Sequence, residues 1–324
     1  MAMVSIAFLL GCNTFSTNSG SKEIDIRVGS DSIRAEFLKT APPQTVFEKS
    51  NFPVVIRARN IGAYDIKNGL ISIGLEKDYV PKISLQEGQP SRMENGIVVF
   101  DLNGKSQINL KGDEMVASLN AETGAIDPQS ETKQSTITAT FCYPYKTIAS
   151  ATICIDPDIA NVRPVKKVCQ IKDITLSNGQ GAPIAVTKIE TQMVPEGDKI
   201  RPQFLIYLEN KGLGTPVSTD GYAAICKEAK APDPDRKIWN TAILRVYSSE
   251  SGAESELDCT PGINDDGNAG LLKFRDRKDF VKCTFTHGKN LNDDAYTTPI
   301  RIEIDYGYVQ SISTNFVIQK PLKY

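Results

Sequence analysis

The chain carries one pattern twice. Phe141-Cys-Tyr-Pro-Tyr-Lys-Thr-Ile-Ala-Ser-Ala-Thr-Ile-Cys-Ile155 aligns with Ile304-Asp-Tyr-Gly-Tyr-Val-Gln-Ser-Ile-Ser-Thr-Asn-Phe-Val-Ile318, and Val54–Gly62 aligns with Phe204–Gly212 in the same order upstream. Both pairs alternate apolar and polar residues with period two, the mark of strands that bury one face. Val54, Ile56 and Ala58 share a face, as do Phe204, Ile206 and Leu208. A duplicated unit of this kind, with no helical periodicity of any length, is expected to give an all-β protein of two antiparallel β-sandwiches in tandem.

Local signals divide the chain further. Each upstream run stops at Asn-x-Gly, Asn60-Ile-Gly62 and Asn210-Lys-Gly212, where Asn and Gly are expected to supply the positive φ of a turn. Asn103-Gly104, inside Ile97–Leu110, and Ser251-Gly252, inside Ile243–Cys259, read as two-residue hairpin turns. The longer repeat reads as a final hairpin in which Cys142 lies opposite Cys154. Phe141, Tyr143 and Tyr145 then share one face with Ala151, Ile153 and Ile155, and in the second copy Ile304, Tyr306 and Tyr308 share one with Thr314, Phe316 and Ile318. Spacing between matched positions grows along the chain, which implies an insertion in the second copy, placed most simply in the Asp-, Gly- and Asn-rich stretch Thr260–Asn292 as a loop. The resulting boundaries are 1–23 for a signal and flexible tether, 24–155 for the first sandwich, 156–167 for a semi-extended linker containing Pro157 and Pro164, and 168–324 for the second sandwich.

Composition removes several functions. The 37 Lys and Arg balance 39 Asp and Glu, so no single-sign field favours nucleic acid. The only histidine, His287, stands in Thr-His-Gly and reads as a turn residue, leaving a nucleophilic cysteine or serine without an assigned base. No Gly-x-Ser-x-Gly elbow, phosphate-binding glycine loop or Cys-x-x-Cys pair occurs, and no enzyme activity is expected. Asn264, Asp265, Asp266 and Asn268, with Asp293 and Asp294, offer oxygen ligands that could hold Ca²⁺; a polar hairpin tip is the competing reading, and the regular calcium-loop spacing is missing. No other cofactor is expected. Lys273–Asp279 is mixed in sign and reads as a solvated turn.

The N-terminal run Met1–Gly11 is apolar but too short to span a bilayer, which takes about 20 residues. It suits the core of a secretory signal. Leu9-Leu-Gly-Cys12 resembles the lipobox of secreted lipoproteins, which implies that Cys12 receives lipid and becomes the mature N-terminus. A cleaved signal without lipid and a buried N-terminal strand are the alternatives. The remaining cysteines are even in number, as in a disulfide-bonded exported chain. Cys142 and Cys154 are both replaced in the second copy, by Asp305 and Val317, which suggests that they bond to each other. Cys259 and Cys283 flank the inserted segment and are expected to staple it; Cys169 and Cys226 pair by elimination.

Val54-Val-Ile-Arg-Ala-Arg-Asn-Ile-Gly-Ala-Tyr-Asp-Ile66, followed by Leu70-Ile-Ser-Ile-Gly-Leu75, resembles the immunoglobulin-like repeats of bacterial and archaeal envelope proteins, especially the cell-adhesion-related domain called CARDB. Phe204–Gly214 is similar, with Tyr222–Cys226 as a weaker following strand. With the lipobox, the whole resembles an archaeal surface protein. The resemblance implies tandem immunoglobulin-like sandwiches, held at the outer face of the membrane, that serve adhesion, display or envelope scaffolding against a surface protein or glycan partner. A carbohydrate- or ligand-binding module that uses the Asp-rich loop of the second half is the alternative.

Overall fold

The computed structural model describes residues 25–86, 92–94, 96–227, 237–250, 253–263 and 268–321. Cys12, the signal and the tether lie outside the described residues. The first half forms β1 (Ile33–Phe37), β2 (Thr45–Phe47), β3 (Asn51–Asn60), β4 (Ile66–Gly74), β5 (Lys82–Leu85), β6 (Arg92–Glu94), β7 (Ile97–Leu102), β8 (Glu114–Glu122) and β9 (Thr132–Ile155). The second forms β10 (Ile174–Thr175), β11 (Ile184–Glu196), β12 (Lys199–Asn210), β13 (Thr215–Val217), α1 (Gly221–Lys227), β14 (Thr241–Glu250), β15 (Ala253–Glu256), β16 (Asp258–Thr260), β17 (Gly270–Lys273), β18 (Lys278–Thr284), β19 (Lys289–Asn290) and β20 (Tyr296–Gln319). The protein is all-β with sandwich layers, as its periodicity requires.

The long repeat does not fold back on itself. β9 and β20 are single strands of 24 residues each, about 80 Å at ~3.3 Å per residue. Lys146–Ser150 and Val309–Ser313, where the turns were expected, contain no Gly, Pro or Asn to reverse the chain, and extended backbone runs through them. The face assignment holds nonetheless. Phe141, Tyr143, Tyr145, Thr147, Ala149, Ile153 and Ile155 are all buried on one side of β9, and Ile304, Tyr306, Tyr308, Phe316 and Ile318 on one side of β20.

The two copies pair with each other instead. β9 and β20 run antiparallel from Tyr296↔Ile155 to Gln319↔Thr132 without a register shift. Pro144 and Gly307 hold the same place in the two copies and are opposite each other, so a pseudo-two-fold axis passes through that pair. Flanking strands complete a ten-stranded sheet, with seven strands in the order β15-β14-β20-β9-β4-β7-β6 and β2, β13 and β17 paired off this path to β20, β20 and β14. Its buried face is covered near one end by the sheet β1-β3-β8-β5 and near the other by β10-β11-β12-β18-β16.

Each long strand therefore serves both sandwiches. Phe52 of the first small sheet packs on Phe316 of β20 at 5.2 Å between ring centroids. Thr147 of β9 donates from Oγ1 to the Ile184 carbonyl of the second small sheet at 2.8 Å. A single hydrophobic cluster extends from Val54 and Ile56 through Tyr143 and Tyr306 to Phe204 and Ile206. The halves meet through a shared sheet rather than across a linker.

The Asn-x-Gly turns explain why both repeated motifs occur together. Tyr145 donates from its hydroxyl to Asn60 Oδ1 at 3.3 Å, and Tyr308 donates to Asn210 Oδ1 at 3.0 Å. The Asn60 amide donates to the Tyr64 carbonyl, and that of Asn210 to the Gly214 carbonyl, both at 2.8 Å. None of Asn60, Gly62, Asn210 and Gly212 has positive φ, contrary to expectation. Glycine is needed for space: a Cβ on Gly62 would strike the Tyr145 hydroxyl and one on Gly212 the Tyr308 hydroxyl. Burial pushes the phenols of Tyr143, Tyr145, Tyr306 and Tyr308 above their ordinary value, so each stays neutral at physiological pH.

Other local expectations change with the topology. Asn103-Gly104 is not a hairpin: it starts the crossover from β7 to β8 in the opposite sheet, with Gly104 N–H donating to Asp65 and Asn103 N–H to Asp113. β14 and β15 pair antiparallel with Glu250 opposite Ala253, while Ser251-Gly252 lies outside the described residues. The extra chain of the second half is not a loop within Thr260–Asn292, since that stretch supplies β17, β18 and β19. It lies between β12 and β14, where residues 211–240 replace the short connection 61–65 of the first half. Tyr222–Cys226, expected as a strand, lies in α1.

Helix α1 covers the outer face of the shared sheet beside the pseudo-axis. Leu70, Cys142 and Cys226 form a small second cluster there with Val99, Tyr222 and Val309. A Cβ on Gly307 would meet Tyr222 Cβ and Val217 Cγ2, both at 2.8 Å, so this glycine makes room for the inserted connection.

The disulfides follow this geometry. Cys142 bonds to Cys226, Cys154 to Cys169 and Cys259 to Cys283. Cys142 and Cys154 cannot bond to each other, because they lie on one straight strand about 40 Å apart at ~3.3 Å per residue. Cys169 and Cys226 each take one of them. Cys259 and Cys283 are directly opposite across β16 and β18.

The expected linker is likewise a folded knot. Asp156 and Asp158 are buried, and Lys167 Nζ lies 2.6 Å from Asp156 Oδ2 and 3.8 Å from Asp158 Oδ2. Burial raises the Asp158 pKa, but backbone N–H groups of Val162 and Arg163, with the Lys167 ammonium, outweigh it and hold it below the ordinary carboxylate value. A depressed folded pKa stabilises above the unfolded value of about 3.9 and is lost as pH falls through the folded one. Urea unfolding is expected to show stability falling below about pH 4, and Asp158→Asn to flatten that fall; an unchanged slope in the variant would remove Asp158 from the account.

Candidate functional site

Strand alternation puts an aromatic pair on the outside of the second small sheet. In β12, Phe204, Ile206 and Leu208 face the core, so Tyr207 faces out. In β18, Val281 and Cys283 face in, so Phe280 faces out and is 54% exposed. The two are register partners, with ring centroids 5.8 Å apart and planes inclined by 32°. Exposed aromatic area of this kind normally marks a contact surface.

A groove of about 690 Å³ is built around the pair. Lys188 on β11 is opposite Tyr207, and its ammonium lies 5.9 Å from the ring centroid. Asp173 at 2.8 Å and Glu190 at 2.7 Å hold that ammonium. Hydrogen bonding to Asp173, then to Glu190, raises the Lys188 pKa, so it is a permanent cation. The surroundings of Tyr207 and its hydrogen bond to Glu190 raise its phenol as well. Pro261 and Leu271 form the far wall.

The hairpin from β17 to β18 supplies the rest of the rim. Asp276 and Arg277 take positive φ in a two-residue turn, and Arg275 and Lys278 exchange backbone hydrogen bonds. Asp279 Oδ2 accepts from the Lys273 N–H at 2.6 Å. Arg277 donates to the carbonyls of Asn210 and Gly212, tying the hairpin to the tyrosine-capped turn. The run Lys273–Asp279 thus forms the edge of a groove. Its one missed signal was an aromatic on the polar face of two neighbouring strands.

Of the residues that could hold Ca²⁺, the described ones, Asn268, Asp293 and Asp294, form no metal cluster with other described groups. Asn264, Asp265 and Asp266 lie outside the described residues, as does Cys12. Asn268 is exposed just before β17. Asp293 accepts the Asn290 N–H, and Asp294 faces the Arg163 guanidinium at 3.4 Å, a cation already in place. Among the described residues no group of three or more His, Cys, Asp or Glu is arranged to hold a metal. His287 is exposed in a bend, as expected of a turn residue.

A second cleft of similar volume lies on the first half beside Asp101, Asp113 and Glu114. Its carboxylates are engaged: Asp101 accepts from the Asn68 N–H, Asp113 from Asn103 and Asn109, and Glu114 from Arg59. The Tyr207–Phe280 groove is the better-formed candidate.

No family model and no curated protein matches the chain. Among solved structures it is similar to the secreted serine protease VesC from Vibrio cholerae, at 9% identity and a TM-score of 0.18, spanning 86% of this chain but only 50% of that one. The YadV chaperone is 10% identical over 82% of this chain and 91% of its own, with a TM-score of 0.17. The CupB6 tip adhesin from Pseudomonas aeruginosa is 10% identical over 91% and 100%, with a TM-score of 0.18. None of these likenesses is close enough to assign a relationship.

Three disulfides mark a chain that matures in an oxidising setting. Among the described residues no helix is long and apolar enough to cross a membrane.

Proposed function

We propose that this is an exported, non-enzymatic protein of the cell surface, lipid-anchored through Cys12, that acts in adhesion or envelope scaffolding by binding saccharide on its second sandwich. The observation that carries this reading is the solvent-facing Tyr207–Phe280 pair. Sugar rings present flat C–H faces that stack on aromatic rings, while their hydroxyls bond to charged side chains around them. Lys188, Arg275, Lys278 and Glu209 line the groove where such hydroxyls would project. The disulfides fit export, and the CARDB-like strand pattern fits an adhesive sandwich.

A glycan array probed with the oxidised protein is expected to yield saccharide ligands. Phe280→Ala should weaken the best of them about tenfold, equivalent to ~1.4 kcal/mol. An array with no response, or a variant that binds as well as the parent, would contradict the reading.

A further inference from the structure

Three residues stand in line across three adjacent strands. Lys188 on β11 is the register partner of Tyr207 on β12, and Tyr207 is that of Phe280 on β18. The line runs perpendicular to the strands, and neighbouring strands lie about 4.8 Å apart. The ring separation of 5.8 Å is about the length of one hexopyranose unit in an extended chain.

We infer that the groove binds an internal stretch of a linear, neutral polysaccharide of equatorially linked hexopyranoses, laid across the strands with successive sugars on Tyr207 and Phe280. This rests on the saccharide-binding reading above and names its ligand. Equatorial linkage keeps the chain flat and turns a C–H face of each ring toward the platform, whereas axial linkage would lift alternate rings away. Pro261 and Leu271 wall the groove, while Lys188 ends the aromatic part on the side of Tyr207. The aromatic part of the track is two rings long, suited to the middle of a chain.

Charge favours a neutral polymer. Lys188 is already matched by Asp173 and Glu190. Asp279 and Glu209 stand among Lys273, Arg275 and Lys278 along the same groove. Glu209 is directly across from Lys278 in the strand register. Cations and carboxylates are interleaved, so no net field selects an anionic sugar, and each supplies donors or acceptors for hydroxyl groups.

The test is calorimetric titration of the oxidised full chain with β-1,4-linked glucose oligomers of one to six units, and with a uronate oligomer of matched length. Affinity is expected to rise at least tenfold from the monosaccharide to the disaccharide or trisaccharide and then level off, with little change between low and high salt. Phe280→Ala and Tyr207→Ala should each remove the gain from the second sugar while leaving the fold intact by circular dichroism. A monosaccharide bound as tightly as the longer oligomers, or a preference for the uronate that salt abolishes, would overturn this inference while leaving saccharide binding in place. Absence of binding to every oligomer here and to every glycan on the array would remove the underlying reading as well.

Discussion

Replacing Cys142 and Cys226 together by serine is expected to lower the unfolding free energy by about 4 kcal/mol. In the chain-entropy model a bridge stabilises by restricting the unfolded chain, and the 84-residue separation closes a long loop, worth ~4–5 kcal/mol, against ~3 for the 15-residue separation of Cys154 and Cys169. The native state loses more than a tether. Cys226 holds α1 against Leu70, Val99 and Val309, and without it the apolar ground beside Gly307 is free to open to water. Urea unfolding measures the loss, and proteolysis should cut the 211–240 connection faster in the variant. A loss below about 1 kcal/mol would show that α1 is held by packing alone. Peptide mapping of the unreduced protein provides the companion check: a Cys142–Cys154 peptide would contradict the continuous strand β9.

Asn210→Leu is expected to cost about 2–5 kcal/mol. The substitution strips the acceptor from the buried Tyr308 hydroxyl and the donor from the Gly214 carbonyl, and each unsatisfied buried group costs about 1–3 kcal/mol. Tyr308→Phe removes the hydroxyl instead and leaves the Gly214 N–H, which donates to it at 2.9 Å, without an acceptor. The double variant should therefore cost less than the sum of the singles, since the two side chains share one bond. Strict additivity would mean that the Tyr308–Asn210 contact contributes nothing. Asn60→Leu should behave similarly on the first half, through Tyr145.

These two sites show what was legible in the sequence and what was not. Period-two alternation fixed the buried face of β9 and β20 residue by residue, because a strand gives each side chain only two directions. It could not say whether the strand turned back. That depended on the absence of turn residues in Lys146–Ser150, and on a partner 24 pairs long that no local pattern encodes. The pairing of Cys142 with Cys154 failed for the same reason, while that of Cys259 with Cys283 is as expected. Once Cys142 and Cys154 lie far apart on one strand, their partners must come from elsewhere, and α1 was hidden because its seven residues are too few for helical periodicity to register.

The groove was half legible. Phe204, Ile206 and Leu208 were correctly read as inward, which already placed Tyr207 outward. That Phe280 would stand beside it required the pairing of β12 with β18 and not of sequence neighbours. The Asn-x-Gly motif was recognised for the wrong reason: its glycines admit a tyrosine hydroxyl and do not reverse the chain.

The two halves are one folding unit, because β9 and β20 each pass through both sandwiches and pair along their full length. Differential scanning calorimetry of the oxidised full chain tests it most directly. The shared sheet calls for a single heat-absorption peak whose calorimetric and van't Hoff enthalpies agree. Two resolved transitions, each carrying about half of the enthalpy, would contradict it.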